Sequence, residues 1–230
     1  MSSSVSETQH SESGTRDPVR LRVNEIFYSL QGESRSSGFP TVFVRLTGCP
    51  LRCGYCDTDY AFHEGQWMGI DQIVIEVARH GARYVTLTGG EPLAQRPARA
   101  LLARLCDAGH EVSIETSGAV EIADLDRRAR IVMDIKTPAS GEADRNLSGN
   151  LLHLKPTDEV KFVISDHADY EWSRAFVRRE RLDERCEVLF SPVWGRLEPR
   201  QLGEWILADR LPVRLQVQLH KLLWGEERGR

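Results

Sequence analysis

The chain has few cysteines, little net charge and no long apolar run, and each shortage argues against a class of protein. Five cysteines in 230 residues are few and odd in number, which disfavours a secreted disulfide framework and favours a reducing cytoplasm. A net charge of −4 gives no strong basic surface for nucleic acid or an anionic membrane. No run of about eighteen apolar residues occurs, so no membrane-spanning helix is predicted.

The beginning of the chain also lacks apolar residues. Residues 1–18 are rich in Ser, Glu and Thr, and we expect a disordered tail there, because such a segment cannot bury enough apolar surface to fold. It has no basic stretch followed by an apolar one, so it does not resemble a secretory signal. We expect a single core domain over residues 19–230.

Three of the five cysteines lie close together, as Cys49, Cys53 and Cys56 in a C-x3-C-x2-C pattern. A structural zinc ion takes four ligands, usually from two C-x2-C pairs, and the second pair is missing here. A four-iron cluster normally binds four cysteines, so three would leave one iron open to a cofactor or substrate. A zinc site completed by a distant Cys or His, or three unrelated thiols, remain alternatives. Cys106 and Cys186 are expected to be small buried apolar residues.

Strand patterns alternate with helical patterns along most of the chain. We predict a short helix at 123–129 and strands at 41–46, 84–87, 111–114, 131–133, 160–164, 188–190 and 212–219. Strands joined by helical crossovers predict a parallel sheet, and polar or glycine-rich motifs follow nearly every strand, where such barrels build their active sites. The predicted fold is α/β: an open partial TIM-type barrel of about six parallel strands with an incomplete helical layer.

The cysteine loop, with Tyr55 just before its last cysteine, resembles that of the radical S-adenosylmethionine (SAM) superfamily. The later Thr88-Gly89-Gly90-Glu91-Pro92 resembles the strand end by which these enzymes approach the amino group of SAM. The resemblance implies the same open barrel and a [4Fe-4S] cluster on Cys49, Cys53 and Cys56, with SAM on the open iron. It also implies that an electron from the cluster cleaves SAM to a 5′-deoxyadenosyl radical.

Further motifs over about residues 23–224 resemble the 7-carboxy-7-deazaguanine synthases, which are lyases of queuosine and 7-deazapurine biosynthesis. These motifs are Leu30-Gln31-Gly32-Glu33, Arg45, Cys56-Asp57-Thr58, Glu115-Thr116-Ser117-Gly118, Asp134-Ile135-Lys136-Thr137-Pro138, Lys161-Phe162-Val163-Ile164 and Gln218-Leu219-His220-Lys221. The resemblance implies ring contraction of 6-carboxy-5,6,7,8-tetrahydropterin to 7-carboxy-7-deazaguanine with loss of ammonia. SAM would be regenerated and Mg²⁺ would assist. It also implies a homodimer and a reductase such as flavodoxin or ferredoxin.

The same resemblance implies residue roles, with no catalytic residue beyond the cluster and SAM. Thr58 would bind Mg²⁺; a local turn hydrogen bond is its alternative role. The residues implied to contact SAM are Tyr55, Cys56, Asp57, Gly90, Glu91, Ser117, Asp134, Ile135 and Lys136. Those implied to contact the pterin are Leu30, Gln31, Gly32, Arg45, Thr88, Glu115 and His220.

Two of these roles also have a direct chemical argument. The Glu115 carboxylate suits the guanidine-like edge of a pterin, because it can accept two hydrogen bonds at once. Arg45 suits a substrate carboxylate for the complementary reason, although an arginine on a polar surface is the alternative. No proline follows Leu219, whereas some relatives place a C-terminal proline or carboxylate at the substrate.

Two other functions remain open at this point. One is another small radical SAM enzyme, such as a glycyl-radical activase, which would act on a protein backbone. The other is a zinc- or cluster-binding module without turnover, which would not cleave SAM.

Overall fold

The computed structural model describes residues 19–230, so the predicted tail at 1–18 lies outside the described residues. Over this range one sheet carries all the strands. The strands are β1 (Arg20–Leu30), β2 (Pro40–Leu46), β3 (Gln66–Gly69), β4 (Tyr84–Gly89), β5 (Glu111–Thr116), β6 (Arg130–Ile135), β7 (Glu159–Ile164), β8 (Glu187–Pro192) and β9 (Arg214–Leu215). The α-helices are α1 (Ile70–Arg79), α2 (Ala98–Asp107), α3 (His167–Glu180), α4 (Pro199–Asp209) and α5 (Leu219–Trp224).

The sheet order is β3-β1-β2-β4-β5-β6-β7-β8-β9. From β2 to β9 every neighbouring pair is parallel, whereas β1 pairs antiparallel with both β2 and β3. The predicted open α/β barrel is therefore confirmed, with six main parallel strands and the two-residue β9. The antiparallel edge made by β1 and β3 is an addition that the strand–helix rhythm did not predict.

The helical layer is incomplete, as predicted, but two predicted elements are wrong. The segment between β5 and β6 forms turns rather than a helix at 123–129, because Asp126 Oδ1 accepts a hydrogen bond from the Arg128 amide at 2.9 Å and stabilises a local turn. The strand predicted at 212–219 is limited to β9, and its last residue, Leu219, instead begins α5.

Residues 31–39, between β1 and β2, form what we call the plug segment, because they turn into the barrel. The turn is closed by hydrogen bonds between Gln31 and Phe39 and between Gly38 and Gln31. Gly38 has a φ of +88°, a value that glycine adopts without steric cost. The Gly32 carbonyl accepts from the Leu219 amide at 2.9 Å, so the plug segment also contacts the start of α5.

The main apolar core lies between the sheet and its helices. It includes Leu87, Ile114 and Phe162 from the strands and Leu101 and Tyr170 from the helices, all almost fully buried. Burying one such large apolar side chain contributes roughly 1.5–3 kcal/mol, so the strands are held firmly and their C-terminal ends are placed precisely. Within the described part of the chain, no helix has both the length and the apolar character that crossing a membrane requires.

Candidate active site

A cavity of about 490 Å³ opens at the C-terminal ends of the parallel strands, where barrels of this type bind their ligands. Of the predicted site residues, all but Glu91 and Ile135 line it. Those brought together are Leu30, Gln31, Gly32, Arg45, Cys49, Cys53, Tyr55, Cys56, Asp57, Thr58, Thr88, Gly90, Glu115, Ser117, Asp134, Lys136 and His220.

The cysteine loop lies on one wall of this cavity, directly after β2. None of its three cysteines forms a disulfide, and the Leu51 amide is 3.4 Å from the Cys49 sulfur. Burial raises the pKa of the Cys49, Cys53 and Cys56 thiols, so a bound metal would have to offset that cost by stabilising the thiolates.

The loop is closely fitted to the Gly-Gly motif after β4. A Cβ atom at Gly90 would lie 2.5 Å from the Gly48 carbonyl oxygen and 2.8 Å from the Cys49 Cβ. The backbone at Gly90 passes so close to the cysteine loop that only glycine fits there. This close approach and the three free thiols fit a cluster whose cofactor lies against the Gly-Gly motif.

Among residues 19–230, no three Cys, His, Asp or Glu side chains converge as the ligands of one metal ion. A zinc ion would need such convergence, because its ligands lie about 2.0–2.3 Å from it. A four-iron cluster binds each cysteine to a different iron, and its ligands therefore stand further apart.

Glu91 is fully buried and its side chain does not line the cavity. Its carboxylate accepts hydrogen bonds from the amides of Leu93 at 2.8 Å and Ser117 at 2.6 Å, and from the Thr116 hydroxyl. These contacts join the end of β4 to the end of β5. The side chain therefore supports the loop, and the cavity is lined by the neighbouring Gly90 instead.

On the opposite wall, Glu115 projects from β5 into the cavity. Its Oε1 accepts from Gln31 Nε2 at 3.2 Å and its Oε2 from Thr88 Oγ1 at 3.0 Å. Burial raises the pKa of this carboxyl above its usual range, and attraction to the Lys161 ammonium offsets only part of that rise. No described cation lies within ion-pair distance of Glu115, so the carboxylate can accept hydrogen bonds from a ligand.

Arg45 lies on β2 at the edge of the cavity, where its side chain is 16% exposed. Its Nε donates to Glu25 Oε1 on β1 at 2.7 Å, and its guanidinium carbon lies 5.6 Å from the centre of the Phe27 ring. The alternative of a solvent-exposed surface arginine does not describe this position. The Phe27 ring stacks on the Phe43 ring, with the two ring centres 4.9 Å apart, and both rings line the cavity.

A row of alternating charges crosses the base of the cavity through Glu33, Lys161, Asp134 and Lys136. Lys161 contacts Glu33 and lies 3.3 Å from Asp134, and Lys136 lies 2.7 Å from the other Asp134 oxygen. Burial by itself would raise the pKa of both carboxyls. The nearby ammonium groups outweigh burial and lower both pKa values: Lys161 acts on Glu33, and Lys136 together with Lys161 acts on Asp134. Burial lowers the pKa of Lys161, yet the carboxylates hold it well above its usual range.

The start of α5 completes the cavity. Gln218 Nε2 donates to Glu33 Oε1 at 2.9 Å, and Lys221 Nζ lies 2.7 Å from Asp57 Oδ2. The His220 ring packs against Gly32, since a Cβ there would lie 2.0 Å from His220 Nδ1. Burial lowers the pKa of His220, which favours a neutral ring at neutral pH.

Among the cavity residues to which sequence reasoning gave no role are Glu33, Lys161, Gln218 and Lys221. All four fall inside the motifs quoted above, but their partners are far away in the sequence and become neighbours only in the fold. Lys161 stands opposite Asp134 on neighbouring strands, so their side chains share a face. A charged residue within a buried strand was the available signal, since such a charge is costly unless paired.

Two further predicted residues have partners within the protein. Thr58 Oγ1 donates to Asp57 Oδ1 at 2.9 Å, which is the local hydrogen bond considered as its alternative role. Tyr55 donates to the Val163 carbonyl at 3.3 Å, an interaction that anchors the cysteine loop to β7.

Comparison with known proteins agrees with this geometry. A model of the radical SAM superfamily matches residues 43–140. The 7-carboxy-7-deazaguanine synthase of Chlorobaculum tepidum is 44% identical over 90% of this chain and 96% of that protein. The synthase of Koribacter versatilis is 42% identical, with 90% and 98% covered.

Solved structures give the same result at the level of the fold. The crystal structure of QueE from Escherichia coli has a TM-score of 0.73 and 26% identity, covering 87% of this chain and 95% of that one. Streptococcus suis SuiB bound to S-adenosylmethionine, at 13% identity and a TM-score of 0.52, shares the fold alone. On these similarities, the chain belongs to the 7-carboxy-7-deazaguanine synthase family of the radical SAM superfamily.

Proposed function

We propose that the chain, acting as one catalytic domain over residues 19–230, contracts the ring of 6-carboxy-5,6,7,8-tetrahydropterin to give 7-carboxy-7-deazaguanine with loss of ammonia. This is a step of queuosine biosynthesis. The observation that carries the proposal is the half-buried Glu115 carboxylate, which Gln31 and Thr88 hold at the cavity. A carboxylate so fixed fits the guanidine-like edge of a pterin, because both can form paired hydrogen bonds.

The opposite end of the substrate would meet Arg45. A guanidinium and a carboxylate match in shape and charge and form two parallel hydrogen bonds. Phe27 and Phe43 provide a flat apolar wall beside the arginine. Glu115 and Arg45 therefore select the two polar ends of one flat, carboxylated heterocycle.

The radical SAM family implies a [4Fe-4S] cluster and SAM, and the residues present fit both. Cys49, Cys53 and Cys56 would hold the cluster, and Gly90 leaves space for SAM beside it. When bound, this pair supplies the radical that removes a hydrogen atom from substrate. The chain orients the ligands, with Lys136 and Asp134 as a neutral pair on the SAM side.

Three finer assignments belong to the same proposal. Thr58 would bind Mg²⁺ through its hydroxyl, because this ion takes oxygen ligands and keeps several waters or substrate oxygens; the hydrogen bond to Asp57 would then have to rearrange. A small flavodoxin- or ferredoxin-type protein in the cytoplasm would supply the electron. The active form would be a homodimer, as the family resemblance suggests.

The direct test is turnover. Reconstituted, reduced protein is incubated anaerobically with SAM and the carboxy-tetrahydropterin, and the deazaguanine and ammonia are measured. We expect both products in equal amounts. Cleavage of SAM with no deazaguanine would refute the proposal and favour another small radical SAM enzyme, while no SAM cleavage at all would favour a module without turnover.

Glu115→Gln tests the residue that carries the argument. The change keeps the shape but removes the charge, and losing one side of a charged hydrogen-bonded pair costs about 2–5 kcal/mol. We expect weaker pterin binding in calorimetry, with iron content and SAM binding unchanged. Glu111→Gln is the matched control, because Glu111 lies at the other end of β5 and pairs with Arg83 outside the cavity. An unchanged pterin affinity in Glu115→Gln would disprove its role.

A further inference from the structure

We propose that Glu25 is a positioning residue for Arg45: by holding Nε, it directs the two η nitrogens of Arg45 toward the substrate carboxylate. The inference rests on the proposed function, because it assigns the anchoring of the carboxylate to Arg45. Glu25 lies outside every motif that the sequence analysis connected with the reaction.

The backbone brings the two residues face to face. Glu25 and Arg45 stand directly opposite each other on the antiparallel strands β1 and β2, and opposite residues place their side chains on the same face. The register of β1 is irregular between Val23 and Glu25. A bulge of this kind redirects the side chain that follows it, and here it sets Glu25 on the face of Arg45.

The side-chain contacts leave one end of the guanidinium available. Nε of Arg45 donates to Glu25 Oε1 at 2.7 Å, and both side chains are largely buried, with 16% and 20% exposed. In the described part of the chain, the η nitrogens of Arg45 have no hydrogen-bond or ion-pair partner. Because the guanidinium is planar and rigid, fixing Nε also fixes the direction in which the η nitrogens point.

Tyr60 holds Glu25 in turn. Its hydroxyl donates to the same Glu25 oxygen at 3.0 Å, and its ring centre lies 5.8 Å from the Arg45 guanidinium carbon. Tyr60 lies in a short 3-10 helix at Asp59–Phe62, immediately after the cysteine loop. The three side chains therefore connect the carboxylate anchor with the loop that would hold the cluster.

The test is a comparison of two ligands by calorimetry. Reconstituted protein with SAM and Mg²⁺, left unreduced so that no turnover occurs, is titrated with the carboxy-tetrahydropterin and with tetrahydropterin lacking the carboxylate. In Glu25→Gln we expect about a tenfold loss of affinity for the first ligand, since a neutral amide holds the guanidinium less firmly than a carboxylate does. The affinity for the second ligand should not change. Tyr60→Phe should show the same pattern with a smaller loss.

The outcomes separate this inference from the proposed function. Equal losses for both ligands, or no loss for either, in Glu25→Gln would overturn the positioning role. If Arg45→Gln weakens the binding of both ligands equally, or of neither, the carboxylate anchor itself is wrong. In the double variant, Glu25→Gln should add nothing to the loss caused by Arg45→Gln, because the two residues act as one unit; additive losses would contradict the proposal.

Two further variants test whether a change in affinity is specific to Glu25 and Arg45. Glu76→Gln, in an exposed pair with Arg79 on α1, should bind both ligands as the wild type does. Arg45→Lys should lose the preference for the carboxylated ligand, because Glu25 would take the lysine ammonium; in the Glu25→Gln background that preference should partly return. Failure of this rescue, with iron and SAM content intact, would count against Glu25 as the residue that orients position 45.

Discussion

At the scale of single residues, the most unusual carboxyl group outside the active site is Glu159. It begins β7 and is only 2% exposed. Its Oε2 accepts from the Arg35 amide at 2.8 Å and lies 3.5 Å from Arg214. Burial raises the pKa of Glu159 to about 7, against the opposing effect of Arg214 and with the help of nearby Glu187.

This raised pKa predicts a loss of stability with rising pH. The folded protein holds the proton more tightly than the unfolded chain, so the contribution of Glu159 is fully present below its ordinary pKa of 4.5 and disappears as pH passes about 7. In Glu159→Gln, the free energy of unfolding relative to wild type should rise by up to about 3 kcal/mol between pH 4.5 and 8. Urea titrations at matched pH measure this, and a difference that is independent of pH would disprove the assignment.

Sequence reasoning predicted the place of strand-end residues in the cavity, but it did not predict which charged residues pair with one another. Glu115 and Arg45 could be predicted because each is a charge in or beside a strand that ends at the site. The pairing of Glu33 with Lys161 could not, because the partners lie 128 positions apart and only the fold brings them together. The contact between Glu25 and Arg45 was not predicted, because the direction of Glu25 depends on an irregular register.

At the scale of elements, the cysteine loop and the turn after β4 fit closely against each other. The Glu91 amide donates to the Gly48 carbonyl at 2.8 Å and the Gly90 amide to the Leu46 carbonyl at 3.2 Å. The backbones of the cysteine loop and of the turn after β4 are therefore in direct contact, with no side chain between them. A side chain at position 90 would push them apart.

Gly90→Ala should displace the cysteine loop. The added methyl group would lie 2.5 Å from a backbone oxygen, and overpacking of this kind costs about 1–3 kcal/mol. We expect a lower iron content after reconstitution and weaker SAM binding. Gly149→Ala is the matched control, because a Cβ there meets nothing within 4 Å. Normal iron content and SAM affinity in Gly90→Ala would show that the loop tolerates the shift.

Elements were predicted well where apolar residues are buried on both sides of a strand and poorly where short segments turn. The parallel strands were recognised because their runs are continuous and apolar. At 123–129 the buried Ile122 and Leu125 imitate helical spacing, but aspartate side chains stabilise turns instead. The short β3 was missed because its four residues have no fully buried position.

At the scale of the whole molecule, the C-terminal segment joins both sides of the cavity. Gln218 contacts Glu33 of the plug segment, and Lys221 contacts Asp57 beside the last cysteine of the loop. Further along, Arg228 pairs with Glu64 at 2.6 Å and its guanidinium carbon lies 3.6 Å from the centre of the Tyr60 ring. This connection was not predicted, because the sequence pattern suggested a final strand rather than α5.

Lys221→Met should loosen this connection. The change keeps the side-chain length but removes the partner of Asp57, so α5 should open more often. We expect faster amide hydrogen exchange over residues 218–224 and weaker binding of the carboxy-tetrahydropterin. Arg200→Met, which breaks an exposed pair with Glu204 on α4, should change neither. Unaltered exchange in Lys221→Met would mean that apolar packing alone holds the helix.

The contact between Gly32 and Leu219 has a consequence for how the protein is made. The two residues are separated by almost the entire folded chain, so a ribosome must synthesise nearly all of it before the catalytic chamber can close. Contacts over such long separations slow folding. A nascent polypeptide should therefore acquire its parallel strands first and its ability to capture substrate only once the segment that begins at Leu219 has emerged from the ribosome.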